Sequence, residues 1–284
     1  MTESNFQIRL LQRHEMSAII ERAAQESWNP GLQDHFAFYE ADPHGFFVGE
    51  LNGQPIAHIS AVNYNDEYGF IGLYIVSKDY RGKGYGLALW NHAVRRIQHL
   101  ACGLDGVPDQ IENYKKSGFV YAFRQMRLAC TALAVPKPDL VYELVPESPI
   151  LNLIHYDTAI FGTARENFCR TWLTMSNAKA FYTTAQNDNI TGYAVIRKCI
   201  EGYKIGPLFA ANSVIAENLF LACHSAASSG ETVYIDMPEV NPSTRKFIER
   251  YALELVFETA RMYTRQKPEI LIDHVFSVTT FELG

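Results

Sequence analysis

The heptapeptide YRGKGYG at residues 80–86 places glycine at every second position, with Arg81 and Lys83 between them. It follows the apolar run GFIGLYIV and precedes a segment in which Leu87, Trp90, Val94, Ile97 and Leu100 recur at helical spacing. A strand must therefore pass into a helix across bare backbone. Such a junction gathers peptide N–H groups and the positive end of a helix dipole at one point, which suits a phosphate. Arg81 adds a forked donor and Lys83 a point charge. A turn that uses glycine only for its backbone angles is the plainer alternative. Three glycines with two cations favour the anion.

The type of anion site narrows by comparison with known spacings. The Walker pattern GxxxxGK[ST] is absent. A dinucleotide fingerprint GxGxxG starting at Gly82 would need glycine where Leu87 stands, and the loop follows a meander instead of opening a βαβ unit.

The order of parts repeats. In the first half QIRLL reads as a strand, residues 16–27 and 32–41 as helices, and GFFVGEL, QPIAHISAVNY and GFIGLYIV as strands. Asn52-Gly53 marks a hairpin between the first two. After the glycine loop and its helix come a short strand ACGLD, a helix DQIENYKKS and a strand FVYAFRQMRLA. The second half keeps the same order through YKIGPLFA, NSVIAENLFLACHSAA, ETVYID, NPSTRKFIERY and LVFETARMY. This is an α+β, mixed-sheet pattern. Pro136 and Pro138 mark an extended linker, giving domains at 1–131 and 140–284 joined by residues 132–139. The loop SKDYRGKGYG of the first half faces only AANS in the second, so one anion cradle is expected, not two.

The segment IVSKDYRGKGYG resembles motif A of the GNAT acetyltransferase superfamily, [QR]-x-x-G-x-[GA], with Arg81, Gly84 and Gly86 at the fixed positions. YKKSGF resembles that family's Yx3GF segment. The resemblance implies two tandem GNAT-like domains, each a mixed, mostly antiparallel sheet flanked by helices. It implies acetyl-CoA as cosubstrate, its pyrophosphate on Arg81, Gly82, Lys83, Gly84, Tyr85, Gly86 and Leu87. Its pantetheine arm would run along Leu73, Tyr74, Ile75 and Val76. A backbone amide near Ile75 or Val76 would hold the oxyanion, and Tyr114 would protonate the departing thiolate. The family often has Asn before the tyrosine helix, where LDGVPD stands here. The implied activity is N-acetyl transfer to a primary amine of a small molecule or protein, in a ternary complex. A non-catalytic acyl-CoA sensor on the same fold is the alternative.

Other residues are less distinctive. Tyr114 also reads as a packed aromatic. Glu67 is the candidate base, with His58 and Tyr74 beside it, although YNDEYGF reads first as a turn. Asp105 and Asp236 end strands near the cleft and could attract an amine, or cap the next loop or helix. Asp157, Phe161 and Arg165 fall on one face if a helix continues through Gly162, as a cleft lining or as an intrahelical charge pattern.

With 25 basic and 31 acidic residues the formal charge is -6, which argues against a nucleic-acid partner held by a basic surface. The five cysteines are scattered without a CxxC and the nine histidines include no HExxH, so neither a disulfide framework nor a metal is expected. No apolar run approaches a membrane span, which points to a cytoplasmic protein without a membrane partner. Homodimerisation stays open.

Overall fold

The computed structural model describes residues 5–146 and 148–284. The first half opens with β1 (Phe6–Leu10), α1 (Met16–Gln25) and α2 (Asp34–Ala41). Met16, Ile19, Ile20 and Ala23 form the buried stripe of α1, at the i, i+3, i+4, i+7 spacing of an amphipathic helix. β2 (Phe46–Leu51) and β3 (Gln54–Asn63) form the expected hairpin, with Asn52 and Gly53 at φ of 53° and 80°. β4 (Tyr68–Val76) leads through the glycine loop to α3 (Tyr85–Ile97), which buries Leu89, Trp90, Ala93 and Ile97 against the sheet. β5 (Ala101–Gly106), α4 (Ile111–Lys116) and β6 (Val120–Thr131) complete the half.

The second half contains β7 (Tyr142–Glu143), α5 (Ile150–Phe161), α6 (Glu166–Leu173), β8 (Ala178–Thr184) and β9 (Ile190–Lys198). It continues with β10 (Tyr203–Ala210), α7 (Ser213–Ala226), β11 (Thr232–Pro238), α8 (Thr244–Tyr251), β12 (Glu254–Tyr263) and β13 (Val275–Ser277). A single helix through Gly162 does not form. Gly162 adopts φ 83° as the left-handed end of α5, and Arg165 only precedes α6. Among the described residues no helix is long and apolar enough to cross a membrane.

One mixed, mostly antiparallel sheet carries both halves, in the order β1-β2-β3-β4-β5-β12-β6-β11-β10-β9-β8-β7, with β13 attached to β10. The centre of this order is an exchange. β12, from the second half, lies between β5 and β6, while β6, from the first, lies between β12 and β11. A boundary at residues 131–140 thus divides the chain but not the sheet.

Two buried ion pairs bolt the exchanged strands, and they are equivalent under an approximate two-fold between β6 and β12. Arg261 of β12 stands opposite Asp105 of β5 and grips it with two hydrogen bonds of 2.7 and 2.6 Å. Arg127 of β6 stands opposite Asp236 of β11 with two of 2.7 Å. Forked guanidinium–carboxylate geometry satisfies both desolvated charges, the condition under which a buried pair is tolerated.

The segment after β13 crosses from one half to the other. A Cβ built on Gly206 of β10 would meet the Thr279 carbonyl oxygen at 2.5 Å, and one on Gly72 of β4 would meet that of Glu282 at 1.9 Å. Glycine inside each strand lets this segment lie directly on the backbone.

Candidate functional site

The site begins where two parallel strands part. β4 pairs with β5 from Tyr68↔Ala101 to Ile71↔Leu104 and no further. Just beyond, β4 carries a bulge against β3: Gly72 faces Ser60 and Ile75 faces His58, leaving three steps on β4 against two on β3. Leu73 takes φ 50° there. The bulge turns β4 away, so its β5-facing backbone groups from this point lack a strand partner. A cavity of about 640 Å³ fills the gap. Leu73, Tyr74, Ile75 and Val76 line it, as do Arg81, Gly82, Gly84, Gly86 and Leu87. Lys83 and Tyr85 belong to the same loop but not to the lining.

Gly82 and Gly84 adopt φ of 72° and 87°, and space is open where a side chain would stand. Only glycine adopts these angles without strain. Gly84 is the residue before α3 and supplies no capping side chain, so the first N–H groups of α3 point outward unsatisfied by one. A Cβ on Gly86 would lie 2.6 Å from the Tyr74 hydroxyl, so this glycine is needed for the close approach of α3 to β4. The residues present therefore fit a diphosphate: bare N–H groups, a helix dipole and room for oxygen atoms. The two cations work differently from each other. Arg81 donates Nε to the Val76 carbonyl at 2.8 Å and Nη2 to Glu26 at 2.5 Å, so it ties the loop to β4 and α1. Lys83 donates Nζ to the Asp79 carbonyl at 2.7 Å.

Tyr114, on α4, reaches the cavity across Gly106, where a Cβ would lie 2.2 Å from its ring. Trp90 separates it from Tyr74, with ring centroids 5.4 Å apart on either side. Burial, with a lesser contribution from Tyr74, pushes the Tyr114 phenol up to about 12. It is a protonated hydroxyl at any physiological pH, able to donate its proton and to accept a hydrogen bond.

The remaining candidates separate. Glu67 is not part of the cavity lining. It precedes β4 in a turn, its N–H bonded to Asn65 at 2.9 Å, and about 13 Å of extended chain lies between it and Ile71, the first lining residue of β4. His58 is buried on β3 with its Nδ1 unpartnered among the described residues, and burial lowers its pKa to about 4. Asp105 lines the cavity, but its carboxylate is held by Arg261. Asp236 is held by Arg127 and lies outside the lining. Asp157 is buried with Arg165 at 2.7 and 2.8 Å and also accepts from the Tyr193 hydroxyl. Phe161 packs with Tyr68 and Phe70 beneath the sheet. None of these last three faces the cavity.

Sequence reasoning passed over several lining residues: Glu26, Trp28, Arg127, Phe257, Thr259, Phe281 and Glu282. The last four come from the second half. The one available signal was a glycine inside each of the strands β4 and β10, which marks close backbone approach.

The equivalent place in the second half is shut. β13 pairs with β10 at Leu208 and Phe209, taking the strand edge that is free on β4. Asn212 caps α7, its side-chain oxygen accepting from Ile215 N–H at 3.0 Å, in contrast to bare Gly84. Only about 20 Å³ remains there, closed in part by Val275, Val278 and Thr279.

Comparison with known proteins agrees with this geometry. Residues 13–119 match the acetyltransferase (GNAT) family, and residues 153–277 an acetyltransferase (GNAT) domain. Holothin acyltransferase from Pseudoalteromonas sp. (strain SANK 73390) is 34% identical over 271 residues, 95% of this chain and 92% of that protein. A putative acetyltransferase from Pyrococcus horikoshii superposes with a TM-score of 0.82 at 22% identity, covering 98% and 96% of the two chains. A tandem GNAT protein from the clavulanic acid biosynthesis pathway gives a TM-score of 0.62 at 13% identity, covering 93% and 100%.

Proposed function

This chain belongs to the GNAT superfamily of acyltransferases, and on that premise we propose that it transfers an acetyl group from acetyl-CoA to a primary amine in a ternary complex. The observation that carries the proposal is the pairing of an open β4–β5 gap with an uncapped glycine cradle, present in the first half and closed in the second. The similarity to holothin acyltransferase supports acyl group transfer.

Bound at this site, acetyl-CoA supplies an activated thioester carbonyl. Gly82–Leu87 hold its diphosphate through backbone N–H groups, and the free edge of Leu73–Val76 fixes its arm. A β4 amide near Ile75 or Val76 donates to the oxyanion as it develops, in a gap lined by Trp90, Leu104 and Phe281 where such a donor is strong. For the free amine the proton balance is simple: the proton that nitrogen loses as it attacks is the one that sulfur gains. Tyr114 hydrogen-bonds the sulfur as negative charge builds and relays that proton.

The test is thiol release from acetyl-CoA across a panel of small amines, together with direct measurement of coenzyme A binding. Turnover with at least one amine is expected, and both turnover and binding are lost in Gly84→Glu. Tight binding without thiol release for any amine would instead make the protein a non-catalytic acyl-CoA sensor.

A further inference from the structure

Five charged residues line the cavity, and four of them are paired. Arg81 is held by Glu26, also a lining residue; Asp105 is held by Arg261, and Arg127 by Asp236. The fifth is Glu282. Its residue is 6% exposed, and its carboxylate makes no hydrogen bond or ion pair among the described residues. Three buried cations, Arg127, Arg197 and Lys204, and the Asp105 carboxylate lie within its electrostatic reach, but none of them bonds it. Its backbone is fixed against Gly72 at the bulge, beside the point where the oxyanion donor lies. A second polar group nearby is also unspent: Thr259 of β12 is 3% exposed, lines the cavity, and its Oγ1 has no partner among the described residues. Around them stand Trp28, Phe257 and Phe281.

A carboxylate that faces a cavity without a bonded partner is a ready seat for a cation supplied from outside. We propose that Glu282 is the acceptor-binding residue, pairing with the ammonium of a small, flat or apolar primary amine whose body packs on Trp28, Phe257 and Phe281 while Thr259 bonds a polar substituent. The cosubstrate is thus held by the first half and the acceptor is read by the second. The segment 275–284 has two duties: it closes the second gap and carries the recognition carboxylate into the first. The free amine that attacks arises when the bound ammonium gives its proton to water entering the cavity.

The inference rests on the acyltransferase reading, and its test is separable from it. Equilibrium binding of 2-phenylethylamine and of uncharged 2-phenylethanol is followed by tryptophan fluorescence, alongside coenzyme A binding. The wild-type protein is expected to prefer the amine by roughly 10- to 100-fold, the range of a hydrogen bond to a buried charge. Glu282→Gln abolishes that preference, Glu282→Asp retains part of it, and both keep alcohol and coenzyme A binding. In turnover Glu282→Gln raises KM for the amine by the same factor and leaves KM for acetyl-CoA unchanged. No preference in the wild type, or a preference retained in Glu282→Gln, overturns the assignment of Glu282 even if acetyl transfer stands. Absence of coenzyme A binding in the wild type overturns the acyltransferase reading itself.

Discussion

Tyr114 shows how one side chain acquires a role from its surroundings. The YKKSGF spacing singles it out, but only Gly106 permits its ring to reach the cavity, and burial raises further a phenol that is already protonated at neutral pH. Tyr114→Phe is expected to lower kcat by about 10²-fold or more without changing the Kd of acetyl-CoA, because general acid help acts in the transition state and not in cosubstrate binding. Stopped-flow or steady-state thiol release measures it; an unchanged kcat removes Tyr114 from the chemistry. Two histidines make a different prediction. Burial lowers both His58 and His224 to about 4, below the ordinary value of 6.5. The folded chain therefore binds fewer protons than the unfolded chain between those pH values, so stability is lost as pH falls from about 6.5 towards 4. At pH 5 the loss is about 2 kcal/mol for each. Urea midpoints at pH 7 and pH 5 test this, and His58→Gln should flatten the dependence.

Among the elements, β6 and β12 decide the architecture. β6 pairs with β11 of the second half and β12 with β5 of the first, and the pairs Arg127–Asp236 and Arg261–Asp105 sit at matching register positions on the two sides. Removing one partner strands a buried charge, so Asp105→Asn or Arg127→Met should cost about 3–5 kcal/mol, while replacing both members of a pair by apolar residues should recover most of it. Denaturant unfolding distinguishes these outcomes. The hairpin at Asn52-Gly53, the stripe of α1 and the strand–glycine–helix junction were legible because each depends on residues close in sequence. The duties of Asp105 and Asp236 were not. Both were recognisable as carboxylates at strand ends, but their partners lie on strands more than a hundred residues away, and a strand's composition does not say which neighbour it will take. Glu282 was invisible for the same reason, its position being set by a segment crossing two strands at Gly72 and Gly206. Gly72→Ala tests that crossing. A methyl group 1.9 Å from a carbonyl oxygen must displace the segment, so amine affinity and stability should fall while the glycine cradle still binds coenzyme A.

For the whole molecule, exchange makes one cooperative body from two similar halves. Residues 1–131 expressed alone would carry β6 without β11 or β12, and residues 140–284 would carry β12 without β5 or β6. Neither is expected to fold alone, whereas co-expression restores a complex. The same exchange lets the halves differ in duty. One keeps an open gap and a bare glycine turn; the other fills its gap with β13 and caps its helix with Asn212. The most direct measurement of this asymmetry is calorimetric titration of the intact protein with coenzyme A. One site per chain is predicted, lost in Gly84→Glu. Two sites per chain, or binding undiminished by Gly84→Glu, would contradict the account.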